Sequence, residues 1–298
     1  MINRAMIAAQ LTPGLAGKFG DGMKLVSKRY NKMFTVKDTD RAYEEIVQVG
    51  ALPIAQVKAE GQSVSYYGYG EERKYRFTVV TMALGFIITK EAMEDNQYEK
   101  GSTAYATELG RAMATAKEIH HANVFNNGFA VNGGDGVPLF SVSHPFGSYL
   151  NANTPAVATD LSESSLEAAY TGIQSWTDAG GKLIAPELKR LLIPPQLEFV
   201  AERLLKSSGR VDTANNDVNP VRSLGVVPDG HMVNPFFTDP DAWFLTTNIP
   251  DSLLSFKRQG IEQRMNEDTD THSLKVNYNE RYIAGVANSL GVWGSPGA

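Results

Sequence analysis

The chain has 298 residues, 42% hydrophobic and 20% charged, so folding can bury roughly three quarters of the surface that the unfolded chain exposes. This composition excludes global disorder and indicates one large domain or two modest ones. No window approaches the 18 consecutive apolar residues of a membrane-spanning helix, and the N-terminus lacks the pattern of a secretion signal. Because the chain has no cysteine, disulfides, thiolate nucleophiles and cysteine-ligated metal clusters are excluded.

The net charge of -5 is unevenly distributed along the chain. Residues 1–37 carry seven basic side chains and one acidic side chain, or +6, whereas the remainder has 28-7=21 basic and 33-1=32 acidic residues, or -11. The basic residues of this N-terminal arm are Arg4, Lys18, Lys24, Lys28, Arg29, Lys32 and Lys37. Such an arm can bind nucleic acid, contact the acidic face of a second copy of the chain, or remain a solvated tail.

The first 45 residues contain four glycines, and their apolar residues keep neither a helical nor a strand period for long. The segment also holds too many large apolar side chains, such as Leu15 and Phe19, for a free tail. We therefore predict an extended arm that lies against another surface.

A long β-hairpin is predicted between residues 57 and 88. An outgoing strand with Val64, Tyr66 and Tyr67 leads to a glycine-rich tip at 68–72, and the return strand alternates aromatic and charged residues before it becomes uniformly apolar. An isolated two-stranded ribbon is marginally stable in water, so another surface must cover it. That surface is the chain's own core in an enzyme and the next subunit in an assembly.

The rest of the chain predicts a long helix followed by a mixed α/β region. The helical pattern runs from Thr89 to about Asn127, and a break near Gly101 is left open. If the helix is continuous over 103–127, it forms a spine of roughly 37 Å. A helix capped by Ser162, a buried strand at 188–193 and a helix with Pro195 in its first turn follow. This alternation is typical of an α/β subdomain. Strands are predicted at 243–247, at 253–257 and on both sides of the polar turn 266–271.

Catalytic motifs are weak throughout the sequence. Adjacent His120 and His121 point about 100° apart on a helix, so we interpret them as half-exposed side chains at a helix end rather than as a zinc pair. The stretch 132–136 predicts a turn, and the alternating Asp268, Asp270 and His272 predict a solvated hairpin tip. A metal-dependent hydrolase using His120, His121 and His144 is kept as the enzyme alternative. We expect no catalytic residue, no cofactor and no metal site.

The order of these elements resembles the major capsid protein of tailed bacteriophages, with its Hong Kong 97-like fold. Four local strings carry the likeness. They are 85–91 (GFIITKE) followed by AMED, 136–141 (GVPLFS) with His144, 192–195 (LIPP) entering a helix, and 273–286 with its Arg281-Tyr282 pair and Gly285.

The resemblance implies an α+β fold of six parts. They are an N-terminal arm (1–48), an extended β-hairpin loop (49–88), a peripheral domain with a long spine helix (89–134), an α/β axial domain (135–250), returning strands of the peripheral domain (251–288) and a C-terminal tail (289–298). The polar stretch 207–222 is expected near the axial tip or at a subunit contact.

In function, the resemblance implies a non-catalytic subunit that forms pentamers and hexamers of an icosahedral head around double-stranded DNA. Scaffolding and portal proteins and non-specifically bound DNA are the expected partners, with no membrane, in a virion assembled in the host cytoplasm. Contacts between subunits are expected from the hairpin residues Tyr66, Tyr67, Tyr69, Glu71, Glu72, Arg73, Tyr75 and Phe77. An encapsulin-like cellular nanocompartment is the alternative shell.

Overall fold

The computed structural model describes residues 4–68, 70–91, 98–209 and 217–298. The chain divides into two compact units. Unit 1 comprises Met1–Glu44, Phe77–His121 and Ser255–Ala284, and unit 2 comprises Glu45–Arg76, Ala122–Leu254 and Gly285–Ala298. None of the helices in the described part is both long enough and apolar enough to cross a membrane.

The described helices and strands are as follows. The α-helices are α1 (Arg4–Lys24), α2 (Tyr30–Met33), α3 (Tyr98–Asn126), α4 (Glu163–Gln174), α5 (Glu198–Lys206) and α6 (Pro220–Ser223). The strands are β1 (Thr35–Asp38), β2 (Tyr43–Val49), β3 (Glu71–Thr78), β4 (Val80–Ile88), β5 (His144–Phe146), β6 (Tyr149–Asn151), β7 (Leu188–Ile193), β8 (His231–Val233), β9 (Trp243–Thr247), β10 (Leu253–Glu267), β11 (Leu274–Val286) and β12 (Val292–Ser295). Short 3₁₀ helices cover Pro195–Leu197 and Ser289–Gly291.

Unit 1 is built on a four-stranded sheet with the order β1-β10-β11-β4. β4 and β11 are antiparallel, with a register that runs from Leu274 opposite Ile88 to Tyr282 opposite Val80. The alternation of buried and more exposed residues predicted from Leu274 onward is confirmed, because every second side chain from Leu274 to Ala284 is buried. Residues of α1 and α3 pack with β11 in one core, where the Phe19 ring stacks on Tyr278 with 3.8 Å between ring centroids.

The prediction of an extended N-terminal arm is wrong, because residues 4–24 form helix α1. The glycines that obscured the helical pattern let the backbones of α1 and α3 approach closely. A Cβ added at Gly22 would lie 1.9 Å from the carbonyl oxygen of Thr107, and one added at Gly110 would lie 2.1 Å from that of Phe19. The arm therefore packs on its own spine helix.

The predicted hairpin is displaced along the sequence. β2 pairs with β3, so the outgoing strand is 43–49, and residues 51–68 form a loop instead of a strand and a tip. The Gly50 N–H donates to the Gly70 carbonyl at 2.9 Å and closes this loop at its base. The return strand is confirmed as β3 followed by β4.

Unit 2 contains a second four-stranded sheet with the order β12-β9-β7-β8, in which β7 is parallel to β8 and antiparallel to β9. The predicted strand at 188–193 and the helix after Pro195 are confirmed. Ser162 caps α4 as predicted, and the structure shows that it does so in a reciprocal capping box with Ser165. The last residues are more than a tail, since β12 is fully buried and pairs with β9.

The long helix α3 is continuous through Gly101 and extends from unit 1 into unit 2 after His121. Its 29 residues span about 43 Å at roughly 1.5 Å per residue. In unit 2 its Phe125 packs among the rings of Phe140, Phe237 and Phe244. The predicted long helix is thus confirmed, and at about 43 Å it is longer than the predicted 37 Å.

Candidate functional site

The loop at 51–68 exposes apolar side chains that the described part of the chain does not bury. Val57 is 100% exposed, Tyr66 91% and Tyr67 57%. Within the loop, the backbone hydrogen bond that the structure records runs from the Gln62 N–H to the Ala59 carbonyl at 3.2 Å. The exposed side chains of Val57, Tyr66 and Tyr67 are therefore available to a partner.

The base of the loop is held firmly inside unit 2 by Arg73 of β3. Its side chain is 9% exposed, and its guanidinium lies 3.7 Å from the Asp135 carboxylate and 4.2 Å from the centre of the Phe146 ring. The Tyr75 ring packs directly on Gly134, where an added Cβ would lie 2.6 Å from a ring carbon. The turn at 132–136 is therefore a docking site for β3 within the same chain.

Asp135 is the charged centre of this anchor. Its carboxylate accepts a hydrogen bond from His144 Nδ1 at 2.6 Å, and His144 Nε2 lies 3.1 Å from the Asn153 Oδ1 atom. Burial alone would raise the pKa of Asp135, but the hydrogen bond and charge of His144, together with the charge of Arg73, hold that pKa below its usual value. The carboxylate stays ionised and fixes both basic partners.

The predicted contact residues fall into three groups. Tyr66 and Tyr67 are exposed as expected, whereas Tyr75 and Phe77 are buried by the chain itself and the Arg73 side chain is largely covered. Tyr69 lies outside the described residues, and the side chains of Glu71 and Glu72 in β3 lie outside the described part as well. Among the described residues of this set, Tyr66 and Tyr67 are the ones exposed to a neighbour.

The N-terminal segment combines buried apolar side chains with exposed basic ones. Leu15 and Phe19 are buried in unit 1. Lys18, Lys24, Lys28 and Lys32 are exposed, Arg29 and Lys37 are half-buried, and the side chain of Arg4 lies outside the described part. The segment thus uses its apolar side chains internally and presents lysines to the solvent.

A buried polar network in unit 1 holds α2 against α3. The Glu118 carboxylate accepts backbone hydrogen bonds from Arg29 at 2.8 Å and Tyr30 at 3.2 Å. Burial raises the pKa of Glu118, although these two donors oppose the rise. The neighbouring Lys117 forms a buried ion pair with Glu280. The sequence indicates neither the hydrogen bonds of Glu118 nor this ion pair, because the partners are far apart along the chain.

The interpretation of His121 as half-exposed is wrong, since it is fully buried in this network. Its Nδ1–H donates to the Lys117 carbonyl at 2.7 Å, and its Nε2 accepts from the Ser255 hydroxyl at 2.9 Å. Burial lowers the pKa of His121 to about 4, so the ring is neutral at pH 7. With both nitrogens engaged it has no position for a metal ion. In the part of the chain that the structure describes, no three His, Asp or Glu side chains form a metal-binding group.

One of the comparisons with known proteins identifies a family. The family model described as "Phage capsid protein" matches residues 72–294. By sequence, no curated protein matches the chain.

Several solved structures have the same fold at low identity. The crystal structure of a virus-like particle from Pyrococcus furiosus is 13% identical, with a TM-score of 0.57, covering 95% of this chain and 98% of that chain. The procapsid of bacteriophage JBD30 is 15% identical, with a TM-score of 0.52 and coverage of 99% and 76%. The capsid of the cyanophage P-SCSP1u is 10% identical, with a TM-score of 0.55 and coverage of 90% and 87%.

Proposed function

Because the chain belongs to the phage capsid protein family, we propose that it is the major subunit that forms the pentamers and hexamers of an icosahedral head. As a capsid protein it is a structural component of the virion shell and not an enzyme. The predicted Hong Kong 97-like fold is confirmed by its likeness to the solved phage capsids.

The exposed loop at 51–68 carries the proposal. Monomeric proteins rarely leave contiguous large apolar side chains in water, and such patches mark interaction sites. The ends of this loop are anchored by the Gly50–Gly70 hydrogen bond and by buried Arg73, while its middle reaches solvent. An anchored base with an uncovered apolar middle is suited to contact a second copy of the chain. A ring or shell of such contacts lets each subunit use several modest interfaces at once.

The exposed lysines of the N-terminal segment support a second part of the proposal, a non-specific contact with packaged double-stranded DNA. Lys18, Lys24 and Lys28 face solvent on a chain whose remaining charge is negative. Phosphate contacts by such side chains are independent of base sequence and weaken as salt rises. Scaffolding and portal proteins are further proposed partners, with assembly in the host cytoplasm.

Electron microscopy of a loop variant tests the role of the loop. Residues 53–67 are replaced by a two-glycine link, which is sterically feasible because Gly50 and Gly70 are hydrogen-bonded at the loop base. This variant is expected to keep its circular dichroism spectrum but to form no shells. The matched control replaces the exposed tip residues 269–271 between β10 and β11 by glycines and is expected to assemble. Complete shells from the loop variant would contradict the proposed role.

A shell that encloses protein cargo is the second candidate function. It is favoured by the likeness to a virus-like particle from Pyrococcus furiosus, which extends over 95% of this chain. The contents of particles purified from the natural source distinguish the two candidates. Nuclease-protected DNA supports the phage head, and an enclosed enzyme without DNA supports the compartment.

A further inference from the structure

The outer edge of β4 has no strand partner among the described residues. β4 is the terminal strand of its sheet and pairs with β11 on its inner side. Its nine residues, VTMALGFII, include no charge and no proline. Proteins normally protect a long edge strand with charges, proline or a covering segment, because its free N–H and C=O groups accept a further strand. The sequence of β4 supplies neither charges nor proline.

Both faces of β4 also offer apolar side chains at this edge. On the face toward α3, Leu84 is 46% exposed, and the Phe86 ring stacks on exposed Tyr105 with 6.1 Å between ring centroids. On the opposite face Ile87 is 59% exposed. A strand added here would therefore find apolar neighbours for its side chains on either face.

Residues 62–68 of the loop have the complementary properties. Their sequence, QSVSYYG, has β-branched and aromatic residues typical of a strand and no charge, yet this segment is unpaired within the described chain. In an extended conformation Val64 and Tyr66 point to one face and Tyr67 to the other. The segment thus has a strand pattern without a strand partner.

We propose that residues 62–68 of one copy add as a strand to the outer edge of β4 in a neighbouring copy. This inference rests on the proposed shell function and names the partner surface of its loop. Backbone hydrogen bonds supply the pairing, and side chains on the two faces supply the fit. Val64 and Tyr66 then pack beside Leu84 and Phe86. Since neither segment is charged, the contact itself brings no like charges together.

Disulfide trapping between two different variants tests this contact directly. The chain has no cysteine, so each introduced thiol is unique. A Ser65→Cys chain is mixed separately with Thr81→Cys and Ala83→Cys chains, allowed to assemble and oxidised. Residues opposite each other in paired strands have Cβ atoms close enough for a disulfide, so at least one mixture is expected to give a covalent dimer on a non-reducing gel. A mixture of Ser65→Cys with Thr271→Cys, at the exposed tip between β10 and β11, is the control.

The outcomes separate this inference from the function on which it rests. Assembled shells that give no dimer above the control overturn the strand addition and leave the capsid function intact. If a chain carrying both Ser65→Cys and Ala83→Cys closes a disulfide only within itself, the loop covers its own β4 and the inference also fails. If the unmodified chain forms no shells, the proposed function fails first.

A charge on the edge strand gives an independent test without cysteines. Leu84→Lys is expected to fold, because the side chain is half exposed, but to lose shell formation, since a lysine at an edge opposes strand addition. Val131→Lys, at an exposed apolar position in unit 2, is the control and is expected to assemble. Normal shells from Leu84→Lys contradict the inference.

Discussion

Replacing Gly110 by alanine tests whether the close approach of α1 and α3 holds the N-terminal segment in place. In a helix interior glycine is about 1 kcal/mol less favourable than alanine, so this change stabilises most exposed helices. At Gly110 the added Cβ would lie 2.1 Å from the Phe19 carbonyl oxygen, where ordinary contact begins at 3.4 Å. Helix α1 must therefore move by 3.4-2.1=1.3 Å, because the obstacle is backbone and cannot rotate away.

The expected magnitude follows from these two opposing effects. Overpacking of a well-filled core costs about 1–3 kcal/mol, and a backbone obstacle favours the upper value. The higher helix propensity of alanine offsets about 1 kcal/mol of this cost. Gly110→Ala is therefore expected to lower the free energy of unfolding by about 2 kcal/mol. For a chain of this size that corresponds to a melting temperature lower by roughly 4 °C.

Gly17→Ala in α1 is the matched control, because an added Cβ there meets nothing within 4 Å. It is expected to raise stability by up to about 1 kcal/mol. Thermal unfolding of unassembled subunits, followed by circular dichroism, measures both variants. Proteolysis within residues 4–24 is also expected to be faster in Gly110→Ala. If Gly110→Ala raises the melting temperature as much as Gly17→Ala does, the close contact between α1 and α3 is refuted.

Two further predictions concern the buried polar groups. Arg73→Ala leaves Asp135 with one basic partner fewer, so the free energy of unfolding is expected to fall by about 2–3 kcal/mol, whereas Arg264→Ala at an exposed ion pair is expected to leave it nearly unchanged. Equal effects in thermal unfolding would contradict the anchor. The pKa of His121 is lowered from 6.5 to about 4, so between these pH values the folded state binds fewer protons than the unfolded state and stability falls as the solution is acidified. His121→Gln is expected to remove this contribution, so that the free energy of unfolding depends less steeply on pH between pH 6.5 and 4. The same pH dependence in His121→Gln and in the unmodified chain would contradict the burial of a neutral His121.

Sequence reasoning succeeded where a local signal and the tertiary structure agree. The Ser162 cap, the strand at 188–193 and the alternation that begins at Leu274 depend on neighbours along the chain or on a simple period. The order of these elements was sufficient to indicate the fold, which the solved capsids confirm.

The predictions that the structure contradicts were wrong for identifiable physical reasons. The glycines of α1 weaken its helical pattern, but they are the residues that permit close contact with α3, a contact that sequence periodicity does not reveal. The strand pattern at 62–68 is real, yet a strand needs a partner, and the described chain provides none.

The anchor at the loop base was missed for a different reason. Arg73 and Asp135 are separated by 62 residues, and neither lies in a pattern that indicates pairing. Their contact also explains why the predicted role of Arg73 at a subunit interface does not fit its buried position. A guanidinium that is already covered by Phe146 and paired with Asp135 is used within the chain.

Electron microscopy of the purified, unmodified chain at high concentration tests the central claim most directly. Closed shells of uniform diameter with fivefold and sixfold clusters of subunits are the predicted result. A homogeneous population of single subunits, with the 51–68 loop protected from proteolysis in each of them, would contradict it.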